Sequence, residues 1–377
     1  MAAPAVTLTY ETTDVFTNVA FGGNPLAVVF GAEGLPDSTM QKIAAEFCYS
    51  ETTFVLPPVD PTHTARVRIF TPVAELPFAG HPNVGTAFVL ARRGEAFGRP
   101  VGTELSFEEE SGLVEVSCLE GPHSTVANWP EGVVGAVLSA PQPFAAHGRV
   151  SAAEAAACLG LGAEDIVGEP VIGSTGGPYV LAELASAEAL ERCRVAPAAF
   201  AASAAMAKVG KVLGYLPPPG AEGGGGGSDE LQLRCRMFTA RGTEDPATGA
   251  ANCALLGMLA SRRAGQANPN PNSTPNLKPN SNPTPAPNSN PNPNPNPNPN
   301  PNPNPNSNPK PKPNPNPDQG TLRAAIAQGV EMGRPSALMG EADYAGGAVT
   351  AVRIGGKCVP MMRGELRVPC SGSPLPP

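Results

Sequence analysis

Three polar residues in this chain could together carry out acid–base chemistry on a small molecule. They are Glu51 in Ser50-Glu-Thr-Thr-Phe54, His81 in Gly80-His-Pro82 and Asp245 in Glu244-Asp-Pro246. A carboxyl group in a partly dry pocket has a raised pKa, which suits it to take a proton from carbon and return it elsewhere. A neighbouring imidazole or carboxylate can orient the substrate. Each residue also has a plainer use. Asp245 before a proline is a helix N-cap signal, His81 between glycine and proline can be a turn residue, and Glu51 can be a solvated carboxylate heading a strand. The case for chemistry rests on the set of three and on the matched positions of two of them.

Those positions come from an internal duplication. The stretch Arg68-Ile-Phe-Thr-Pro-Val-Ala-Glu-Leu-Pro-Phe-Ala-Gly-His-Pro82 returns as Arg236-Met-Phe-Thr-Ala-Arg-Gly-Thr-Glu-Asp-Pro-Ala-Thr-Gly249. Each copy starts with an Arg-x-Phe-Thr strand, passes a Pro-x-x-Gly turn and enters an apolar helix. His81 follows the glycine of the first copy, and Asp245 precedes the proline of the second. Two related halves around one cleft are therefore expected. Two helices would start there, at Gly80 to Asn83 and at Gly249 to Ala251. Their free backbone N–H groups act as fractional positive charges that can hold a carboxylate or enolate without arginine. Glycine at 80 and 249 allows close approach to the backbone. No Gly-x-Gly-x-x-Gly follows a strand, no Gly-Lys-Ser/Thr loop occurs, and the four histidines lack metal-ligand spacing. The expected chemistry is proton transfer with no cofactor and no metal, on a small carboxylic acid.

The elements that must position these residues follow from periodicity and punctuation. Strands are expected near residues 6–16, 26–30, 52–56, 64–70, 103–107 and 113–119, with helices after Pro36, capped by Asp37 or Ser38, and from about 83 to 93. The second half reads as helices at 151–161, 186–193, 197–205 and 247–263. Its strands are expected at 168–172, 179–184, 231–238, 327–330, 348–354, 357–362 and 365–368. A first domain is expected over residues 1–131 and a second over 132–363, with a last strand at 364–370 returning to the first. Residues 217–228, rich in proline and glycine, read as a flexible loop. Residues 268–317 are nearly pure Asn-Pro repeat, which has almost nothing to bury and is expected to be disordered.

Composition excludes several classes. Net charge is −8 with no Lys/Arg cluster beyond pairs such as Arg92-Arg93, so no nucleic-acid partner is expected. No apolar run reaches about 18 residues, so no membrane span is expected, and the first residues lack a signal-peptide pattern, which implies a cytoplasmic protein. The eight cysteines, Cys48, Cys118, Cys158, Cys193, Cys235, Cys253, Cys358 and Cys370, have no Cys-x-x-Cys spacing and read as reduced thiols.

In several of these segments the chain resembles the phenazine biosynthesis PhzF-like family. The resemblance is carried by Asp14-Val-Phe-Thr-Asn18 with Gly23-Asn-Pro-Leu-Ala-Val28, Ser50-Glu-Thr-Thr-Phe-Val55, Leu76-Pro-Phe-Ala-Gly-His-Pro82, Gly242-Thr-Glu-Asp-Pro-Ala-Thr-Gly249 and Gln328-Gly-Val-Glu-Met-Gly-Arg-Pro-Ser336. It implies an α+β, diaminopimelate epimerase-like fold, with two similar domains, each a mixed sheet rolled around a central helix, and a site between them. It also implies a homodimer and isomerisation of a dihydro-3-hydroxyanthranilate-like acid. Carried over, Glu51 would be the proton shuttle, His81 would orient the substrate and assist, and Asp245 would hold its polar groups. Ser50, Gly80, Gly249 and Ala250 would line the pocket. Many relatives have serine where this chain has Ala250, so one hydroxyl contact is missing. The related epimerases use paired cysteines at the two helix starts, absent here. The nearest cysteine in sequence, Cys253, lies one turn inside its helix, where packing is the expected role. Two other readings keep the same fold: a member that binds a metabolite or protein without turnover, and an amino-acid epimerase with two opposed bases.

Overall fold

The computed structural model describes residues 5–121, 132–217, 230–267 and 319–369. The Asn-Pro tract of 268–317 and residues 218–228 of the Pro/Gly loop lie outside the described residues. The first half runs β1 (Ala5–Val15), β2 (Asn24–Phe30), α1 (Asp37–Phe47), β3 (Glu51–Leu56), β4 (Ala65–Phe70), β5 (Glu75–Leu76), α2 (Gly80–Arg93), β6 (Glu95–Ala96), β7 (Arg99–Pro100), β8 (Glu104–Glu109) and β9 (Gly112–Gly121). Next come β10 (Gly132–Ser139), β11 (Ala145–Arg149), α3 (Ala152–Cys158), β12 (Val171–Ser174), β13 (Pro178–Glu183), α4 (Ala187–Arg192), α5 (Pro197–Ala202), α6 (Ala204–Val209) and β14 (Lys211–Leu216). The chain closes with β15 (Glu230–Thr239), β16 (Glu244–Asp245), α7 (Gly249–Ala267), β17 (Gln319–Gln328), β18 (Ser336–Ala345) and β19 (Ala348–Pro369).

Two helices organise these strands. In α2 every residue from Gly80 to Leu90 is buried, and α7 is buried almost throughout from Ala251 to Ala260. A helix that is apolar and small-sided on all faces must be covered on all faces. Accordingly α2 packs on β1, β2, β3, β9, β10 and β19, and α7 on β12, β13, β17, β18 and β19. Each helix settles onto its strands through a glycine. A methyl group on Gly85 would stand 2.6 Å from Leu26, and one on Gly340 only 2.1 Å from Leu256. Mixed pairing joins the strands: β2 runs parallel to β3 and β13 to β14, while most other neighbours are antiparallel.

β19 connects the two helix environments. Its first part pairs with β18 and with β10, and residues Cys358 to Pro369 pair with β1 along nearly its whole length. Separate strands at 348–354, 357–362 and 365–368 were expected because glycines interrupt the apolar pattern, yet the strand is continuous. Gly355 and Gly356 are places of close approach: side chains there would press on the Ala136 carbonyl at 2.5 Å and on Phe16 at 2.8 Å. Other expectations shift for local reasons. Pro36 caps α1 without a side-chain hydrogen bond, and Asp37, expected as a cap, instead accepts from Arg68 at 2.7 Å. The helix expected over 197–205 breaks at Ser203, whose hydroxyl caps α6 by accepting from the Met206 amide. The strand expected at 327–330 ends at Gln328 and gives way to a 3-10 turn at Val330–Met332. Strand β14, with Gly214 inside it, was not read from the sequence.

Candidate active site

The duplicated turns meet. α2 starts at Gly80 and α7 at Gly249, and a methyl group added to Gly80 would lie 3.0 Å from both the Ala250 amide nitrogen and the Gly249 Cα. The reverse substitution would place a methyl 3.2 Å from the Gly80 Cα. A side chain at either position would crowd the facing backbone, so glycine lets the two helix starts abut backbone to backbone, a reason distinct from the ligand approach expected of them. Ala79 precedes α2 with no side-chain cap, so the first amides of that helix receive no side-chain acceptor from it. β3 opens at Glu51, with Leu26 of the parallel β2 directly opposite. That register brings Ser50 and Glu51 beside Asn24, at the head of β2.

Asn24 ties these pieces together. It is fully buried; its Nδ2 donates to Asp245 Oδ1 at 2.7 Å and to the Ala247 carbonyl at 3.0 Å, and its Oδ1 accepts from the Ser50 hydroxyl at 2.7 Å. On the other side, the Thr248 hydroxyl donates to Asp245 Oδ2 at 2.5 Å. Gln328 Nε2 donates to the Asp245 carbonyl at 2.8 Å, and Gln328 Oε1 accepts from Asn252 at 2.8 Å. Asp245 thus lies at the end of β16, four residues before α7, with both carboxyl oxygens held by side chains. Its N-cap reading gives way to that of a fixed acceptor. Arg334 holds the two loops around this centre, donating to the carbonyls of Gly22 and Gly23 and to Asp14.

Burial sets the electrostatics. It raises the Glu51 carboxyl to about 8, helped by the negative charge of Asp245, while the Ser50 hydroxyl and Lys211 pull it down. Burial likewise raises Asp245, and the donors Thr248 and Asn24 oppose the rise. His81 is pushed down to about 3 by burial, against a backbone hydrogen bond at Pro25. Glu51 Oε2 lies 3.5 Å from His81 Nδ1. With the ring neutral and the carboxyl raised, that approach is a carboxylic acid facing an uncharged imidazole and not an ion pair. His81 Nε2 is buried with no hydrogen-bond partner among the described residues.

All seven residues named from the sequence, Ser50, Glu51, Gly80, His81, Asp245, Gly249 and Ala250, border one cavity of about 930 Å3. Several of its other wall residues were missed. Asn24 has no role of its own in the sequence reading beyond its place in the Gly23-Asn-Pro-Leu-Ala-Val28 segment, although a buried aspartate needs a buried donor and an asparagine beside a strand start is available. Lys211 and Tyr179 also line the wall, and neither sits in a motif. Cys48 borders the cavity too, at the left-handed end of α1 with φ 54°, whereas Cys253 is buried inside α7 as expected. Among the described residues no three His, Cys, Asp or Glu side chains are grouped to hold a metal ion, and no helix is long and apolar enough to cross a membrane.

Comparison with known proteins points in one direction. A family model described as phenazine biosynthesis-like protein, PhzC-PhzF, matches residues 13–272. An uncharacterized isomerase of Mesorhizobium japonicum is 32% identical over 369 residues, covering 96% of this chain and 99% of that protein. The trans-2,3-dihydro-3-hydroxyanthranilate isomerase of Pseudomonas fluorescens is 41% identical over 121 residues, 31% of this chain and 43% of that protein. Among solved structures, a PhzF-family phenazine biosynthesis protein of Bacillus anthracis superposes with a TM-score of 0.66 at 19% identity, over 96% of this chain and 99% of the other.

Proposed function

We propose, from the premise that this chain belongs to the phenazine biosynthesis-like family, that it is a cofactor-independent isomerase moving a proton within a small carboxylic acid related to dihydro-3-hydroxyanthranilate. The observation that carries this reading is the convergence of Glu51, His81 and Asp245 on one cavity, with the carboxyl of Glu51 raised. The substrate carboxylate sits against the abutting helix starts, where the first amides lack intrahelical acceptors. Glu51 in its ionised form takes a proton from carbon and returns it to a second carbon of the same molecule. A carboxyl poised near neutrality serves both steps, because neither protonation state is far from reach. Neutral His81 orients the substrate beside Glu51. Asp245, fixed by Asn24 and Thr248, accepts from a hydroxyl or amino group and sets which carbons face Glu51. Ala250 leaves its amide in place but removes a hydroxyl contact, which points to a substrate differing in one polar group from that of serine-bearing relatives. In this reading the site lies between two similar domains, 1–131 and 132–363, with β19 as the strand they share.

Two opposed bases, as an amino-acid epimerase requires, are not favoured: the helix starts carry Phe78-Ala-Gly-His81 and Pro246-Ala-Thr-Gly249, and Cys253 is buried. The test is incubation with cyclic and amino carboxylic acids in heavy water, read by mass. We expect at least one cyclic unsaturated acid to gain one deuterium and change its double-bond position. A panel in which every acid binds and none exchanges would replace the isomerase with a binding protein, and deuterium entering an α-carbon with inversion would indicate an epimerase.

A further inference from the structure

We propose that Lys211, seated on Tyr179, is a second anion anchor in the cavity, and that the substrate class is acids carrying two carboxylates. One carboxylate would lie at the paired helix starts and the other at the Lys211 ammonium. The inference deepens the isomerase reading and rests on its placement of the first carboxylate. β13 and β14 are parallel with Val180 opposite Val212, so Tyr179 and Lys211, one residue earlier on each, stand side by side at the same strand ends. Lys211 Nζ lies 4.4 Å from the Tyr179 ring centroid. Stacking on a ring face fixes an ammonium in place, yet uses none of its three N–H donors. Among the described residues Lys211 makes no ion pair and no hydrogen bond. The Tyr179 hydroxyl has no hydrogen-bond partner among them either, although the residue is only 7% exposed.

A cation and a phenol that line the cavity with no partner of their own leave their donors free for the acceptors of a guest. The space beside them is open. A methyl on Gly177 would stand 3.9 Å from Nζ, at ordinary contact distance, so the glycine leaves room beside the ammonium. Burial pushes the Lys211 ammonium down and the charge of Glu51 holds it up. Burial and the charges of Asp245 and Glu51 raise Tyr179, so its hydroxyl remains a donor. Two unmatched donors therefore stand in the same cavity as the Glu51 and Asp245 acceptors. A guest with an anionic group at each end would satisfy the donors and the helix starts together.

The experiment is titration calorimetry of the full chain with benzoate, isophthalate and terephthalate, using wild type, Lys211→Met, Lys211→Gln and Tyr179→Phe. We expect at least one dicarboxylate to bind wild type tenfold or more tighter than benzoate. Lys211→Met and Lys211→Gln should each erase that preference while leaving benzoate affinity within about twofold, and Tyr179→Phe should reduce it. Thermal melting of each variant shows which are folded, and two neutral replacements at position 211 keep the test available if one is not. Absence of a dicarboxylate preference in wild type, including failure of every probe to bind, overturns the proposal. So does a preference that survives loss of the ammonium, or an equal loss for benzoate and dicarboxylates, which would leave Lys211 a counter-ion to Glu51 alone. The readout is binding, so a lasting preference alongside absent proton exchange would remove the isomerase reading and keep the anchor.

Discussion

A carboxyl group that holds its proton to about 8 in the folded chain, against an ordinary value of 4.5, makes folding depend on pH. The folded state binds the extra proton, so the stability this group contributes is fully present below 4.5 and is lost as pH rises through about 8. The slope for one such group approaches about 1.4 kcal/mol per pH unit. Asp245 acts in the same direction over a lower window, from an ordinary 3.8 to about 6, and two neighbouring carboxyls titrate as a pair. Urea denaturation at pH 5, 6.5 and 8 should therefore show wild type losing stability relative to Glu51→Gln as pH rises, by at least about 1 kcal/mol across the range. Parallel curves for the two proteins would mean that Glu51 is not held protonated. In the proposed mechanism the same rise in pH that weakens the fold produces the ionised base, a trade of stability for chemistry of the kind functional sites commonly make.

Among the elements, the abutting helix starts make the sharpest demand. Gly80→Ala would put a methyl 3.0 Å from the Ala250 amide and the Gly249 Cα, backbone atoms that cannot rotate away. Overpacking of this kind typically costs about 1–3 kcal/mol. We expect a lower melting temperature and a loss of proton exchange from the separated helix starts; a variant with wild-type melting and exchange would show that the contact is dispensable. Sequence made these helices visible because each follows a Pro-x-x-Gly turn and is apolar throughout. It did not show that the turns touch, because contact between residues 80 and 249 is fixed by strand pairing and not by local pattern. The same limit hid Asn24, whose partners Asp245 and Ala247 are more than 200 positions away. Glycine misled the reading of β19, where Gly355 and Gly356 serve close packing instead of a turn, and Lys211 heads a strand whose Gly214 weakened its apolar signal.

For the whole molecule, duplication and closure explain each other. A single strand-loop-helix unit cannot cover its own apolar helix; two units share β19, and Arg334 fastens the loop after β17 to the loop before β2 through Gly22, Gly23 and Asp14. The sequence repeat, with Gly80, His81, Asp245 and Gly249 at its turns, was legible because turn geometry constrains residue type, whereas Ser50 and Ala250 entered as pocket residues only through the family resemblance. The continuity of β19 from Ala348 to Pro369 was not legible, since glycines interrupt its apolar pattern. Residues 268–317 join α7 to β17, and their Asn-Pro composition offers little to bury. Removing half of them should shift stability by only about 0.6 kcal/mol, with proton exchange unchanged; a drop of several degrees in melting temperature would show that the tract packs on the fold. The central claim, that Glu51 carries the proton, is tested most directly in heavy water. The acid that gains deuterium with wild type is incubated with Glu51→Gln at matched folded concentration, and incorporation is followed by mass. We predict a fall of about 100-fold or more in the variant. Incorporation at the wild-type rate would contradict the account.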